Sequence, residues 1–385
     1  MNSKHYDCII TGAGVLGSFH AYHAARKGLK VLLLEKDSQP TDATVRNFGM
    51  AIPSGLNQGK WSDYGVRSLE IYKDIQSEFD LSVRKNGSMY IASDATELTL
   101  LEELSAINKK MGYPSVITGK ESCLEKYPGL RASYCMGGLF FPEEITVEPD
   151  RMIHRLIAFM QEQLGLIYRP YSLVKSVVYR NDRCFVETSD GREFTADKVL
   201  ICNGRDFTSL YPELFAKSDI VVTKLQMMRT SPMTDFVLPG AVLGGLSIRR
   251  YESFQECPSY EKLNAATINE QCKKWGIHVL FKQAADGSLI IGDSHEYEDA
   301  RNADRLGFDV KQVINDIILQ EAQRIFDLPH WNITTQWNGY YAQRKEHDIF
   351  METADTNTWI ITAIGGKGMT VSAGLAEANI HKIFA

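Results

Sequence analysis

The clearest chemical signal in the chain is the run Gly12-Ala13-Gly14-Val15-Leu16-Gly17, with Glu35 closing the apolar stretch that follows. Gly12 permits a tight turn, Gly14 lets a pyrophosphate approach the backbone, and Gly17 lets the next helix pack close to the strand before it. The helix N-terminus offers unpaired N–H groups to an anion. A carboxylate at Glu35 accepts hydrogen bonds from an adenosine ribose and repels a 2′-phosphate, which disfavours NADP. Three glycines and an acid at this spacing predict a bound dinucleotide.

Other chemistry-bearing residues are scattered. In Val45-Arg46-Asn47-Phe48-Gly49-Met50, Asn47 and Gly49 suit tight backbone geometry, so the segment reads as a closely held loop. Gly365-Gly366-Lys367-Gly368 lies between a buried strand and an apolar helix, which argues against a free terminal loop. His20 and His23 read as a solvated helix flank rather than a metal pair. Glu143-Glu144 and Glu296-Tyr297-Glu298-Asp299 read as surface loops without a His or Cys partner at ligand spacing, so no metal is expected. Arg249-Arg250-Tyr251 reads as solvated charge, with an anion site lining a pocket as the alternative. His278 and Lys282 share parity on one strand, facing either substrate or the wet side of a sheet. Cys8 and Cys202 read as core residues, not redox centres.

The elements that must position these residues follow from periodicity. A strand before Gly12, a helix with small residues (Ala21, Ala24, Ala25) ended by Gly28, and a buried strand over 30–34 form a strand–helix–strand unit. Helices are predicted over 61–79, 97–111, 151–163, 310–326 and 369–384. Residues 81–92 alternate like a strand pair around Asn86-Gly87, a hairpin signal, and 137–142 reads as an extended link. A meander over 171–179, 184–188 and 193–195 precedes a buried strand over 198–202 that ends in Asn203-Gly204. Strands over 220–230, 242–248, 278–281 and 288–292 predict a second sheet, and 358–363 returns as a last buried strand. The expected class is α/β, a Rossmann-like dinucleotide-binding domain with an interleaved α+β substrate domain on a mixed, largely antiparallel sheet. The first takes residues 1–80, 145–215 and 335–385, the second 81–144 and 216–334.

Composition agrees with this division. At 385 residues, with 44% hydrophobic and 23% charged residues, the chain is too long for one compact core. A net charge of −6 argues against a general nucleic-acid binder, and no apolar run reaches the length of a membrane span. Only five residues precede the first strand, which leaves no room for a signal peptide. Seven scattered cysteines without Cys-x-x-Cys point to a reduced, cytoplasmic setting.

Four separated segments match one pattern: the glycine motif with Glu35, the Arg46-Asn47-x-Gly49 loop, residues 199–204, and residues 365–370. Together they resemble the FAD-dependent amine and D-amino-acid oxidoreductases, the family of glycine oxidase, sarcosine oxidase and D-amino-acid dehydrogenase. The likeness spans the whole chain. Within it, the stretch from Val45 to Met50 is most similar to FAD-dependent proteins associated with aminophosphonate breakdown. The resemblance implies FAD extended across the first domain. Gly12, Ala13, Gly14 and Gly17 would meet the pyrophosphate, Glu35 and Lys36 the ribose, and the backbone of Val174 the adenine. Arg46, Asn47, Phe48 and Gly49 would sit by the flavin, and Val15, Leu16, Asn203 and Gly204 complete the cofactor set. Gly366, Lys367, Gly368, Met369 and Thr370 would bring a helix N-terminus to the pyrimidine edge of the ring. Dipole and lysine together stabilise the anionic reduced ring.

The same resemblance marks three departures. Gly339 occupies the place of the flavin-linking cysteine of monomeric sarcosine oxidases, so FAD is expected to be non-covalent. Tyr341 stands where glycine oxidase-like relatives hold a carboxylate-binding arginine, with Arg344 beyond it. No lysine occurs in 288–292, where sarcosine oxidases keep one to activate oxygen, which leaves oxidase and dehydrogenase both open. The implied reaction is oxidation of the C–N bond of a small amine, with O2 or another electron acceptor. The favoured substrate is 2-aminoethylphosphonate or its N-methyl derivative. Lys367, Tyr341 and Arg344 are the catalytic candidates. Arg46 and Arg344 lead for the substrate anion, ahead of Arg249/Arg250 and His278/Lys282. The alternatives are a glycine, sarcosine or D-amino-acid oxidoreductase, or an FAD-binding subunit whose flavin is structural.

Overall fold

The computed structural model describes residues 4–263 and 269–385. Two sheets organise them. The first has the order Phe350–Asp355, Thr358–Thr362, Glu193–Ile201, His5–Thr11, Val31–Leu34 and Ile167–Arg169, and all but the first of these strands run parallel. Its central members are buried on both faces, which is why Ile9, Ile10, Leu32, Leu33, Val199, Leu200 and Ile201 read as unbroken apolar runs. Val174–Arg180 and Arg183–Thr188 extend the edge of Glu193–Ile201 as an antiparallel meander. Three helices cover one face. Gly368–Ile383 packs on Lys60–Glu78 and on Val15–Arg26. A Cβ at Gly374 would come within 2.5 Å of the Tyr64 carbonyl, so glycine is what allows that close crossing.

The second sheet has the order Glu296–Asp299, Ile220–Thr230, Leu289–Gly292, Leu280–Gln283, Ala241–Leu243, Ser88–Ala92, Gly137–Phe141 and Val116–Gly119. Ile333–Arg344 pairs antiparallel with Ile220–Thr230 along its length, so the chain rejoins the first sheet only at Phe350. Ala95–Met111 and Gln312–Ile325 are its longest covering helices. The former is capped by Asp94, whose side chain accepts from Glu97 N, and is closed by Gly112 at φ +72°. No helix among the described residues is long and apolar enough to cross a membrane.

Several expectations are corrected here. Asn86-Gly87 makes no hairpin. Gly87 N–H donates to the Glu144 carbonyl and its own carbonyl accepts from Ala241 N–H, so long-range partners take the bend. The supposed link at 137–142 is an interior strand between Ser88–Ala92 and Val116–Gly119. A Cβ at Gly138 would meet Met89 Sδ at 2.7 Å, so its glycine serves packing, not looseness. The strand at 242 stops at Leu243 and turns into the helical turn Gly245–Ile248. The segments 193–195 and 198–202 are one strand, and the acidic run Glu296–Asp299 is an edge strand rather than a loop.

Candidate active site

The parallel strands all deliver their carboxyl ends to one edge of the first sheet, and Gly12, Glu35, Asn203 and Gly366 follow those ends. That edge is where ligands bind in open α/β sheets. A cavity of about 1090 Å³ runs from it to the second sheet. Gly12 takes φ +89°, and a Cβ there would collide with the Cys202 carbonyl. Glu35 is buried, accepting from Ala13 N at 2.8 Å and Asp37 N at 3.1 Å. Gly12, Gly14, Val15, Leu16, Glu35, Lys36, Val174, Asn203 and Gly204 line this end of the cavity. Thr44, which the sequence does not single out, also lines it, and its hydroxyl accepts from Val15 N at 2.9 Å. Ala13 and Gly17 do not line it. Ala13 N–H is engaged by Glu35, and a Cβ at Gly17 would strike the Gly12 carbonyl, so that glycine is needed for helix-on-strand packing.

The middle of the cavity is bounded by Arg46, Asn47, Phe48, Gly339, Tyr341, Arg344 and the turn from Gly366 to Thr370. Gly49 lies outside it, where a Cβ would meet the Val147 carbonyl. Asn47 holds the loop together, donating to Ala43 O and Thr44 O while accepting from Gly49 N. Thr370 Oγ1 accepts from Ile52 N, and Met369 O accepts from the Tyr72 hydroxyl. The three leading cations are engaged elsewhere. Lys367 Nζ lies 2.8 Å from Asp348 and 3.0 Å from Glu252. Arg344 Nε lies 2.5 Å from Asp219. Arg46 is exposed, donating to Thr41 O and Asn338 O. Lys367 and Arg344 are thus ion-paired, because carboxylates far off in sequence reach them.

The far end is built by the second sheet. Arg250, half-buried, donates to the Tyr297 hydroxyl at 3.0 Å and has no carboxylate within 4 Å among the described residues. His278 and Asp293 exchange backbone hydrogen bonds across adjacent chain segments, and His278 Nε2 lies 3.0 Å from Asp293 Oδ1. His295 stacks on His278 with ring centroids 5.4 Å apart, and Tyr251 meets His278 edge-on. Burial holds His278 below its ordinary pKa and pushes His295 down to about 3. Burial opposes the Asp293 charge, but His295, His278 and Arg250 outweigh it and hold the carboxyl below the usual range. Leu225, Met227 and Leu280 form the apolar wall.

Asp293 and His295 are absent from the sequence-based candidates, and Tyr251 and Tyr297 enter them only as members of the Arg249–Tyr251 and Glu296–Asp299 runs. The available signal is Asp293-Ser294-His295 directly after an apolar strand. The solvated reading of Arg249 is corrected: it pairs with Asp94 and Glu97, both at 2.6 Å. Neither His278 nor Lys282 is on a wet face. Lys282 is 1% exposed and bonded to Glu148, and burial brings its pKa down to about 8. His20 is fully buried, its Nε2 against Asn379, and desolvation lowers both His20 and His23 to about 4. Glu144 is no surface acid either, being enclosed by Ser54, Ser88 and Tyr113.

The sequence pattern of the family described as DAO, FAD dependent oxidoreductase, matches residues 7–380. The chain belongs to this family. It is 22% identical over 354 residues to one of the subunits of the opine oxidase of Rhizobium meliloti, covering 88% of this chain and 83% of that one. It is 22% identical over 205 residues to monomeric sarcosine oxidase of Bacillus sp. (strain B-0618), 52% of each. The crystal structure of glycine oxidase from Geobacillus kaustophilus superposes with a TM-score of 0.78 at 16% identity, covering 99% of this chain and 95% of that one, a likeness of fold.

As a FAD dependent oxidoreductase the chain needs room for an extended dinucleotide, and the residues present fit one. The cavity exceeds the roughly 300–1,000 Å³ typical of small-ligand pockets. A Cβ at Gly14 would meet only Thr44 Oγ1, at 3.1 Å, so the bare backbone there is an open cradle. Asn203 Oδ1 is buried with no hydrogen-bond partner beside that cradle. Bound FAD supplies a two-electron acceptor. The chain supplies a helix N-terminus at Gly368 and the apolar wall of Leu225, Met227 and Leu280.

Proposed function

We propose that this FAD dependent oxidoreductase oxidises the C–N bond of a small amine bearing an acid group. The favoured substrate is 2-aminoethylphosphonate or its N-methyl derivative. The carbon bearing nitrogen would give up a hydride to the bound FAD and the nitrogen a proton to solvent, and water hydrolyses the resulting imine to phosphonoacetaldehyde and ammonia, or methylamine from the N-methyl derivative. Arg250 carries this reading: it is a half-buried cation on the cavity wall with no carboxylate partner among the described residues. A phosphonate needs several cationic or hydrogen-bonding groups. Tyr251, His278 and His295 line the same end of the cavity, and Tyr341 lines its middle. Tyr341 takes the place at the ring edge that the sequence assigns to Lys367, since its hydroxyl would lie 3.6 Å from a Cβ at Gly366. Arg250 takes the place that the sequence assigns to Arg344.

In this reading the first sheet and its helices hold FAD, and the second sheet, which also takes residues 335–344 of the segment expected with the first, holds substrate. FAD is held without a covalent link. Gly339 has no nucleophile, and a Cβ there would crowd Leu225 and the Arg46 carbonyl at 2.9 and 3.0 Å. The test is an anaerobic screen of amines, amino acids and aminophosphonates for bleaching of the bound flavin, followed by admission of oxygen. Preference for sarcosine, glycine or a D-amino acid would favour the second reading, which the sarcosine oxidase relative supports. No bleaching by any amine would leave an FAD-binding subunit with a structural flavin. The likeness to one component of an opine oxidase keeps that reading in play.

A further inference from the structure

The His278–Asp293–His295 cluster holds a buried carboxylate that the protein itself leaves short of partners. Asp293 is 7% exposed, yet its Oδ1 accepts no well-aligned hydrogen bond from the described residues. His278 Nε2 approaches to 3.0 Å and His295 Nδ1 to 3.9 Å without completing one. His278 Nδ1 meets Ser247 Oγ at 3.1 Å, and His295 Nδ1 is itself engaged by the Gly276 carbonyl at 3.0 Å. An ionised, desolvated and under-bonded carboxylate in a ligand cavity is expensive unless a ligand cation completes it.

We infer that Asp293 is the ammonium anchor of the substrate and that, with Arg250, it makes a two-point clamp for zwitterions. This rests on the proposed oxidation of an amine bearing an acid group, and it names the group that receives the nitrogen end. The two charges line one cavity, so the empty site is itself an opposed pair. A zwitterion satisfies both ends. A simple amine leaves Arg250 without its anion, and a simple acid leaves Asp293 without its cation while adding like charge beside it. Location agrees with this role: Asp293 lines the same cavity as Tyr341, whose hydroxyl would lie 3.6 Å from a Cβ at Gly366.

Three ligand-type side chains within 4.8 Å of one another also resemble a metal centre. The unpaired guanidinium of Arg250 in the same wall argues against a dication there, because it adds positive charge to a site that must attract it. The metal reading is an outcome of the test.

The test uses FAD-loaded enzyme, wild type and Asp293→Asn, under nitrogen: an amine that is oxidised is read by the concentration that half-saturates its rate of flavin bleaching, and a ligand that is not oxidised by its perturbation of the flavin spectrum. The probes are 2-aminoethylphosphonate and its deamino counterpart ethylphosphonate, with glycine and acetate as the second pair. The wild type should prefer the zwitterion in at least one pair. Asp293→Asn should weaken that zwitterion by roughly ten- to hundredfold and leave the deamino acid as tight or tighter. Retained binding of the acid shows that the variant is folded, and Asp293→Ala should behave alike. Equal weakening of both partners of the pair, or no weakening of either, overturns the anchor. So does a wild type whose spectrum no zwitterion perturbs, or a stoichiometric metal ion found by elemental analysis and lost in Asp293→Asn. If only the glycine pair responds and follows this pattern, the clamp stands and the aminophosphonate reading falls.

Discussion

Replacing Arg250 by methionine is the sharpest test of where the substrate anion sits. Methionine keeps most of the aliphatic bulk and removes the guanidinium. Arg250 has no carboxylate within 4 Å among the described residues and one hydrogen bond, to Tyr297, so its loss breaks no direct ion pair, although it removes one of the cationic groups that favour the charged form of the buried Asp293 carboxyl. What is lost is the charge-assisted contact with substrate, worth about 1.5–3 kcal/mol. That predicts a fall in kcat/KM of roughly ten- to hundredfold for anionic amines and little change for neutral amines of similar size. The assay is the rate of anaerobic flavin reduction across a paired series, one member of each pair lacking the acid group. Arg344→Met is the contrast. Its guanidinium is already bonded to Asp219 and lies over Phe350, so its removal should lower Tm and leave the anionic-to-neutral ratio unchanged. If Arg250→Met slows neutral and anionic amines equally, Arg250 is structural. If Arg344→Met alone changes the ratio, the Asp219 pair opens when substrate binds, and Arg250 has been wrongly preferred.

Gly14→Val should yield protein without yellow colour, because the side chain enters the open backbone cradle beside Thr44; measured flavin content at wild-type level would refute that placement. Acid precipitation of the wild type should leave the cofactor in the supernatant, and colour in the pellet would show a covalent link at some residue other than Gly339. Lys367→Met should leave the flavin reduction potential unchanged and lower Tm, since the ammonium is engaged by Glu252 and Asp348; a fall in potential would show that it turns to the ring instead. Burial pushes the Glu144 carboxyl from 4.5 up to about 7, although Ser88, Ser54 and Tyr113 bond to it. An acid raised above its unfolded value gives stability that is present below the unfolded pKa and lost as pH rises through the folded one. Calorimetric Tm should therefore decline more steeply from about pH 5 to pH 8 in wild type than in Glu144→Gln, and parallel curves would refute the shift.

What is legible in the sequence is local. Gly12 to Glu35 can be read because a parallel strand, its turn and its helix declare themselves within about thirty residues by composition alone. The helices fall within a few residues of their expected bounds for the same reason, with Pro149 opening one and Gly112 closing another. What fails is decided at long range. Asn86-Gly87 carries a strong hairpin signal, yet Glu144 and Ala241 take its backbone groups. Gly49 looks like a ligand-contact glycine, but the Val147 carbonyl presses against it, and only the packed structure exposes that difference. Glu144 and His20 read as surface residues because nothing in their neighbourhood along the chain announces the enclosing hydroxyls or the distant Asn379.

The same limit governs the charges, and there it bears on function. Arg344 and Lys367 stand near the cofactor-binding segments in sequence, so proximity favours them. Asp219 and Glu252, each more than a hundred residues away along the chain, claim those charges, as does the nearer Asp348. Arg250 reads as solvated because it follows a strand beside a second arginine. In the fold that neighbour, Arg249, satisfies Asp94 and Glu97, and so leaves Arg250 free to face the cavity. The pairing of one arginine thus defines the other. A consequence is a division of labour between the sheets: the first presents glycines, Glu35 and a helix N-terminus, which suit the cofactor of the whole family. The second presents Arg250, Tyr251, His278, Asp293 and His295 from short segments that make no contribution to the parallel strands. On the proposed reading, substitutions among those five should change which amine is held without disturbing the FAD cradle, and substrate preference in this chain should be sought between residues 250 and 295.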